Sequence, residues 1–269
     1  MVMRSDPVTD TQIAMHERYF APVVLAPFAD ELARRLSRLN HGPLLEIAAD
    51  GGVLTQSLAD AVSIAITIIA TDPDQASVDF AVLRTGIGRV AWRRADPTAL
   101  PWKDSTFGIV TTLFGVPLAE NRLAMICEAR RVLAPVGRFV FCLAGELEHN
   151  PVAACIQETL NILFPANPPE YLVRRLHGSA NFEAVDDDLT AAGFTDAIYA
   201  LLDLPLAAAS ARDIALGYLL GTPIRQEIEQ RTNGDTAPVL DTVITALEHR
   251  FGTGPIKASM RGHVVSAAG

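Results

Sequence analysis

Pro43 to Leu58 read PLLEIAADGGVLTQSL, and this stretch decides the fold. A short apolar run, Leu44-Leu45, precedes Glu46 and then Ile47-Ala48-Ala49. Asp50-Gly51-Gly52 makes a small-residue corner, and Val53 to Leu58 continues with helical spacing. The pattern predicts a buried strand, a sharp turn and a helix whose N-terminus faces a ligand. Small residues let a ligand approach the backbone, and the free amides of a helix start favour its polar groups. A plain strand-turn-helix would read the same way, so the corner needs company before it carries a function.

Outward from the corner the elements alternate. Ala65–Thr71 predicts a second strand, apolar on both faces, that stops at Asp72-Pro73-Asp74. Gln75–Thr85 reads as a helix, Arg89–Arg94 as strand 3 ending at Asp96-Pro97, and Phe107–Leu113 as strand 4. A helix over Leu118–Leu133 and the turn Pro135-Val136-Gly137 lead to strand 5, Arg138–Leu143. Such βαβ alternation predicts a parallel sheet with helices on both faces and right-handed crossovers. Upstream, residues 1 to about 10 read as a loose tail. Thr11–Leu39 predicts at least two helices broken at Pro22 and Pro27, and Asn40-His41-Gly42-Pro43 closes the second. Downstream, prolines 151, 165, 168 and 169 punctuate a connecting or lid segment that includes a helix over Val185–Ala192. Asp196–Leu204 reads as a strand, Ala208–Leu220 and Pro238–Arg250 as helices, and Lys257–Ala267 as a last strand.

With 269 residues the chain suits one large α/β domain with decoration or two small domains. A hydrophobic share of 49% is enough for a sizeable core. The formal net charge of −9, with no Lys/Arg-rich run, lacks the footprint of a nucleic-acid binder. Cys127, Cys142 and Cys155 are odd in number and have no metal-type spacing, which argues against a disulfide framework or a metal site. Cys127 and Cys142 fall in apolar segments and are expected to be buried thiols. The polar N-terminus shows no signal peptide, and the longest uncharged apolar run, Ala61–Ala70, is too short to span a bilayer. The default location is cytoplasmic.

In an open α/β sheet, ligands sit beyond the carboxyl ends of the strands, and three such ends here carry acids: Asp50, Asp72 and Asp96. An acid after strand 2 can take both hydroxyls of a ribose, and one after strand 3 can accept from an adenine amino group. With these in place the chain resembles the class I S-adenosylmethionine-dependent methyltransferases, in particular the small-molecule group of the ubiquinone/menaquinone methyltransferases. The resemblance rests on LLEIAADGGVLTQSLA, ATDPDQASVDFA, RRADPTALPWKDSTFGIVTTLFGV and CEARRVLAPVGRFVF, which span about residues 44 to 143. It implies an α/β, doubly wound, mostly parallel seven-stranded sheet of order 3-2-1-4-5-7-6. One methyltransferase-like domain would cover 1–269, with N-terminal helices at 11–40, a cofactor-binding half at 43–143, a lid at 145–195 and C-terminal strands and helices at 196–269. It also implies S-adenosylmethionine as cofactor, S-adenosylhomocysteine as product, and methyl transfer to a small, fairly apolar acceptor, with a homodimer compatible with the family.

The resemblance also assigns roles. Ala48, Asp50 and Gly52 would line the methionine part of the cofactor. Asp72 would bind the ribose, Pro73 would pack near the adenine, and Asp96 with Pro97 would hold the adenine edge. Leu113, Phe114 and Gly115 would face the sulfonium, with Phe114 toward the acceptor, and Tyr19 and Phe20 would fold over the site. Asp72 has a plain alternative as a helix cap, and Asp96 as a turn residue. Glu46, inside strand 1, needs partners and is expected to tie down the loop. His16, His149, His177 and His263 are each single and are expected to be satisfied or exposed; no catalytic base is assigned. Asp186-Asp187-Asp188 is expected to be a solvated helix start.

The chain also departs from the family. Asp50 stands where the loop's first glycine is expected, Gly51 replaces a Thr, Val136 a Gly and Gly108 an Asp. The Asp50 side chain either crowds the cofactor's amino-acid tail and repels its carboxylate, or accepts from its ammonium group. A second reading follows: a non-catalytic methyltransferase-like protein that binds a metabolite or pairs with an active partner. A nicotinamide dehydrogenase is disfavoured because no Gly-x-Gly-x-x-Gly follows strand 1.

Overall fold

Leu44–Glu46 form β1, which pairs in parallel register with β2 (Ile68–Asp72) on one side and β4 (Phe107–Thr112) on the other. All three residues of β1 are buried, as a strand covered on both faces demands. The computed structural model describes residues 12–39, 42–85, 88–178 and 182–269. The expected loose tail, Asn40 and His41 lie outside the described residues.

Outward from β1 and β2 comes β3 (Val90–Arg94), and from β4 come β5 (Leu133–Ala144), β7 (Ile256–Ala268) and β6 (Thr195–Ala208). The seven-stranded order is β3-β2-β1-β4-β5-β7-β6, with β5 and β7 antiparallel and the first five strands parallel, as expected. The helices are α1 (His16–Leu25), α2 (Ala26–Leu36), α3 (Val53–Ala61), α4 (Gln75–Thr85), α5 (Gly115–Leu118) and α6 (Arg122–Val132). After β5 come α7 (Pro151–Leu163), α8 (Phe182–Ala191), α9 (Ala211–Gly221), α10 (Ile224–Thr232) and α11 (Ala237–Phe251). Among the described residues no helix is long and apolar enough to cross a membrane.

The residues group into two compact units. Among the described residues, one comprises those up to Pro27, Gly145–Gly178 and Asp203–Arg261, and the other those of Phe28–Ala144, Phe182–Leu202 and Gly262–Gly269. In the first, α9 packs on α1. A Cβ at Gly217 would meet the Tyr19 carbonyl carbon at 2.8 Å, and one at Gly221 would meet His16 N at 2.7 Å. These glycines lie four apart on one helix face, which lets two backbones approach without side chains between them. Phe20 seals this contact edge-to-face against Tyr218, with ring centres 5.1 Å apart.

In the second unit, Leu45, Ile47, Phe107, Val110, Phe139 and Phe141 build the core, and helix α8 closes it with Val185 and Leu189. Phe139 lies 4.8 Å from the Phe141 ring and 5.5 Å from the Phe194 ring. The stretches Leu100–Phe107 and Glu128–Leu133, both carriers of the family resemblance, are bonded to each other. Glu128 Oε2 accepts from Leu100 N at 2.7 Å, and Arg131 donates to the carbonyls of Leu100 and Trp102 at 2.9 and 2.7 Å. Arg131 is itself held by Glu128 and Asp104.

Several expectations need correction. Pro22 does not break the first helix, because α1 is wound as a π-helix and the Ala26 N–H reaches back to the Ala21 carbonyl. The wider turn accommodates a proline that lacks a donor and crowds the preceding turn. The helix expected from Leu118 starts at Arg122, where the Asn121 side chain accepts from Ala124 N and caps it. Strand 5 begins at Leu133, since Pro135-Val136-Gly137 is carried as a bulge between the pairs Phe107↔Leu133 and Ile109↔Arg138. A Cβ at Gly137 would meet the Gly108 carbonyl oxygen at 2.8 Å.

Strand β2 starts at Ile68 rather than Ala65. Helix α10 was missed because its one buried face is only Ile224 and Ile228. The 145–195 segment is not uniformly a lid, because α8 flanks the sheet. The acids 186–188 sit within that helix rather than at its start: Asp188 pairs with Arg122 at 2.5 Å, and Asp186 accepts from Tyr199 at 3.1 Å. Cys127 is exposed, whereas Cys142 and Cys155 are buried; all three are free.

Phe139→Ala should cost about 3–5 kcal/mol in urea denaturation, because it empties a fully buried ring site. Val136→Ala, at a residue 76% exposed on the bulge, should stay within about 0.5 kcal/mol. Equal losses would contradict this core.

Candidate active site

Every element of the candidate site belongs to the second unit. Three residues with positive φ alternate through the corner: Ala48 (53°), Asp50 (47°) and Gly52 (80°). Left-handed backbone is costly for residues with a Cβ, although Asp tolerates it better than most. External bonds hold the path. Ile47 N donates to the Thr111 carbonyl and Ala49 N to the Thr71 carbonyl, each at 2.8 Å, and Asp50 N donates to Asp72 Oδ2 at 2.9 Å. Gly52 N closes the turn onto the Ala49 carbonyl at 2.9 Å. Gly52 has no side chain to cap α3, so the first-turn amides of that helix remain a site for a polar ligand group.

Asp72 ends β2 buried, and each of its oxygens accepts one amide: Oδ2 from Asp50 and Oδ1 from Asp74, both at 2.9 Å. The helix cap is therefore Asp74 rather than Asp72, since Asp74 Oδ1 accepts from Ala76 N at 3.1 Å, while Asp72 takes its second amide from the corner itself. Each carboxylate oxygen can accept more than one bond, so further donors can be taken. Burial pushes this carboxyl up to about 6, against the pull of the two amides, with Asp50 and Asp74 adding repulsion. Asp72 and Pro73 are also tied to strand 3: Ala95 N donates to the Asp72 carbonyl at 3.0 Å, and Arg94 Nε to the Pro73 carbonyl at 2.9 Å.

Glu46 lies beneath the corner, fully buried, and Thr55 Oγ1 donates to its Oε2 at 2.6 Å. The bond joins β1 to α3 across the turn, as expected of a group that ties down the loop. Thr71 Oγ1 donates to the Glu46 carbonyl at 2.9 Å, linking β2 to the same point. Desolvation pushes the Glu46 carboxyl up to about 8, despite the Thr55 bond, with Asp72 contributing repulsion.

The remaining expected residues divide. Gly115 lies beside Ala48: a Cβ on Gly115 would come within 3.3 Å of the Ala48 Cβ and 2.2 Å of Thr112 Oγ1. Leu113 and Phe114 are buried, and Phe114 packs edge-to-face on Phe28, with ring centres 5.2 Å apart. Asp96 is exposed and holds its own turn. Its Oδ1 accepts from Thr98 N and Thr98 Oγ1 at 2.8 and 2.7 Å, and these bonds lower its pKa. Pro97 is half-buried in that turn. Tyr19 and Phe20 belong to the first unit, where Phe20 is buried and the Arg18 guanidinium lies 5.2 Å from the Tyr19 ring centre.

His149 is exposed as expected, whereas His177 is buried and its Nε2 lacks a hydrogen-bond partner among the described residues. His16 Nδ1 lies 3.0 Å from the Gly221 carbonyl and His177 Nδ1 2.7 Å from that of Gly145. His149 meets Glu146 at 2.8 Å, and His263 packs on Phe182. Thr55, Thr71 and Arg84 escaped the sequence reading. Arg84, near the end of α4, donates to the Gly51 carbonyl at 3.0 Å, a contact 33 residues apart that no local pattern announces.

The sheet order and the corner with its acidic strand ends define a class I methyltransferase fold. Residues 45–141 match the family model described as a methyltransferase domain. Among curated proteins it is similar to the ubiquinone/menaquinone biosynthesis C-methyltransferase UbiE of Acidiphilium cryptum, with 35% identity over 112 residues, 38% of this chain and 42% of that one. A mitochondrial 2-methoxy-6-polyprenyl-1,4-benzoquinol methylase of Dictyostelium discoideum is 38% identical over 63 residues, 23% of this chain and 20% of that one. The chain thus spans less than half the length of these curated relatives. Among solved structures, a type II methyltransferase assignment from Anaeromyxobacter dehalogenans shares the fold with a TM-score of 0.61 at 19% identity, over 93% of this chain and 97% of that one. A Haemonchus contortus phosphoethanolamine N-methyltransferase 2, solved with S-adenosylhomocysteine, gives 0.60 at 16% identity, over 97% of this chain and 57% of that one.

The raised carboxyl of Glu46 has a stability consequence. Its folded value of about 8 lies above its ordinary 4.5, so the folded state holds a proton that the unfolded chain releases between these pH values. That contribution is full below about 4.5 and is lost as pH rises through 8. Glu46→Gln keeps an acceptor for Thr55 and has no proton to lose. Its stability relative to the parent should therefore rise from pH 5 to pH 8.5 in urea unfolding, and a flat difference would show that Glu46 ionises normally.

Proposed function

We propose that this protein is an S-adenosylmethionine-dependent methyltransferase acting on a small, fairly apolar acceptor of the quinol kind. The observation that supports it most is Asp72, a buried carboxylate at the end of β2 with one amide on each oxygen, beside the uncapped start of α3. That arrangement suits the paired hydroxyls of a ribose. The fit is good at the nucleoside end, where Asp72 is anchored from both sides. It is altered at the tail end, where Asp50 brings a side chain to a corner otherwise lined by Ala48, Gly51 and Gly52.

The cofactor supplies a methyl group on a sulfonium, which is already a good leaving group. The protein's task is then to orient the reactants and exclude water. Ala48 and Gly115, which lie together, keep the ends of β1 and β4 free of bulk. Leu113 and Phe114 add an apolar wall. Asp72 holds the nucleoside, and Glu46 with Thr55 keeps the corner's path rigid. No residue is assigned as base, because a base is needed only for an acceptor that must lose a proton. The quinol class draws on the names of the curated relatives, a ubiquinone/menaquinone enzyme and a polyprenyl benzoquinol methylase. None of these likenesses supports the non-catalytic reading.

Asp72→Ala should weaken S-adenosylhomocysteine binding at least about tenfold in calorimetry, the scale of one lost charge-assisted contact. Unchanged affinity in a folded variant would remove Asp72 from the site and with it this reading.

A further inference from the structure

Within the first unit, helices α7 and α11 leave between them an open groove of about 900 Å³. Thr159, Ile162 and Leu163 form its wall on α7, and Thr242, Thr245 and Ala246 its wall on α11. The threonine hydroxyls are taken by their own helices. Thr159 donates to the Cys155 carbonyl at 2.8 Å, Thr242 to that of Pro238 at 2.8 Å and Thr245 to that of Asp241 at 2.9 Å. A hydroxyl has one proton to give, so these residues add methyl groups to an apolar surface and leave no donor over. Helix α7 is apolar nearly all round, with Glu158 as the one charge in its 13 residues. A helix of that composition is normally covered, yet Ile162 is 79% exposed at its end.

Opposite charges flank this groove. Arg250 donates to Glu158 Oε2 at 2.8 Å, and its guanidinium, with the side chain 43% exposed, keeps further donors. The Asp241 carboxylate, which also lines the groove, has no ion-pair partner among the described residues. On α11 the two are about two and a half turns apart, so they stand on opposite edges of the face that carries Thr242, Thr245 and Ala246, about 13 Å apart along the axis. Such a face is its own complement. A twofold axis between Thr245 and Ala246 reverses the helix and brings the Arg250 of one copy to the Asp241 of the other. We propose that the α7/α11 groove is the interface of a homodimer, in which a second copy lays its α11 antiparallel across this one. Two Arg250–Asp241 pairs close its ends, and the small side chains at its centre let the helices approach. Closure takes the apolar wall of α7 out of water. A partner of one charge sign would match only one edge of the groove, whereas a second copy matches both.

The test is analytical ultracentrifugation of the full chain at neutral pH and low salt, over a dilution series up to about 100 μM. The parent should sediment as a dimer at the upper end. Thr245→Arg sets two like charges beside the axis, and Asp241→Arg faces the partner's Arg250 with a like charge. Each should weaken dimerisation at least about tenfold, with circular dichroism unchanged. Asp241→Arg combined with Arg250→Asp restores opposite charges at both ends and should return the dimer constant to within about threefold of the parent. A parent that stays monomeric at about 100 μM overturns the proposal and leaves the groove to some other occupant. So does a dimer that Thr245→Arg and Asp241→Arg leave within about twofold, because it is then built elsewhere. A folded double variant that stays as weak as Asp241→Arg overturns the antiparallel pairing. Should the double variant not fold, the parent and Thr245→Arg decide.

Discussion

A single charge-assisted bond, from the Asp50 amide to the Asp72 carboxylate, joins the end of β2 to the turn after β1. The corner passes through left-handed backbone at Ala48 and Asp50, where a Cβ is unwelcome, and such a path persists only when its surroundings hold it. Asp72 provides that hold from one side, and the Thr111 and Thr71 carbonyls provide it from the others. The carboxylate that would receive the nucleoside is therefore also the one that shapes the loop. A ligand bound at Asp72 would be coupled to the loop geometry through that one side chain.

Beneath that bond the polar interior is economical. Glu46 is buried, which would be costly for an unpartnered charge, and it spans β1 and α3 through Thr55. Its raised pKa keeps it neutral around pH 7, so the bond is one between neutral groups in a dry place. Elsewhere in the same unit Arg131 does comparable work for the segment before β4, gathering two carbonyls and two carboxylates at one guanidinium. Arginine's fixed fork of donors suits such a junction, and a lysine could not serve as many partners in one plane. In the first unit, the close approach of α9 to α1 depends instead on the absence of side chains at Gly217 and Gly221.

Most of the sheet was legible along the chain because its signals are local. Strands buried on both faces appear as short apolar runs, and the acids at their ends mark where the backbone turns toward solvent. Helix α4 was read to its ends because Asp72-Pro73-Asp74 announces its start. Errors arose where the governing contact is distant. Pro22 looked like a breaker, and only the wider π-turn shows how it is tolerated. Pro135-Val136-Gly137 looked like a turn between elements, yet pairing with β4 continues on both sides of it. Cys127 looked buried from its apolar neighbours but lies on the outer face of α6.

By itself, then, the amino-acid order determined the alternation of strands and helices, the position of the corner and the acids that flank it, because periodicity and turn chemistry act over a few residues. Tertiary structure decided what those acids do. It gave Asp72 two amides, left Asp96 exposed and bonded to Thr98 of its own turn, buried Glu46 against Thr55, and brought Arg84 across 33 residues to Gly51. The reason is physical: a carboxylate's role depends on which donors and charges surround it and how much water it keeps, and those are set by chain segments distant in sequence.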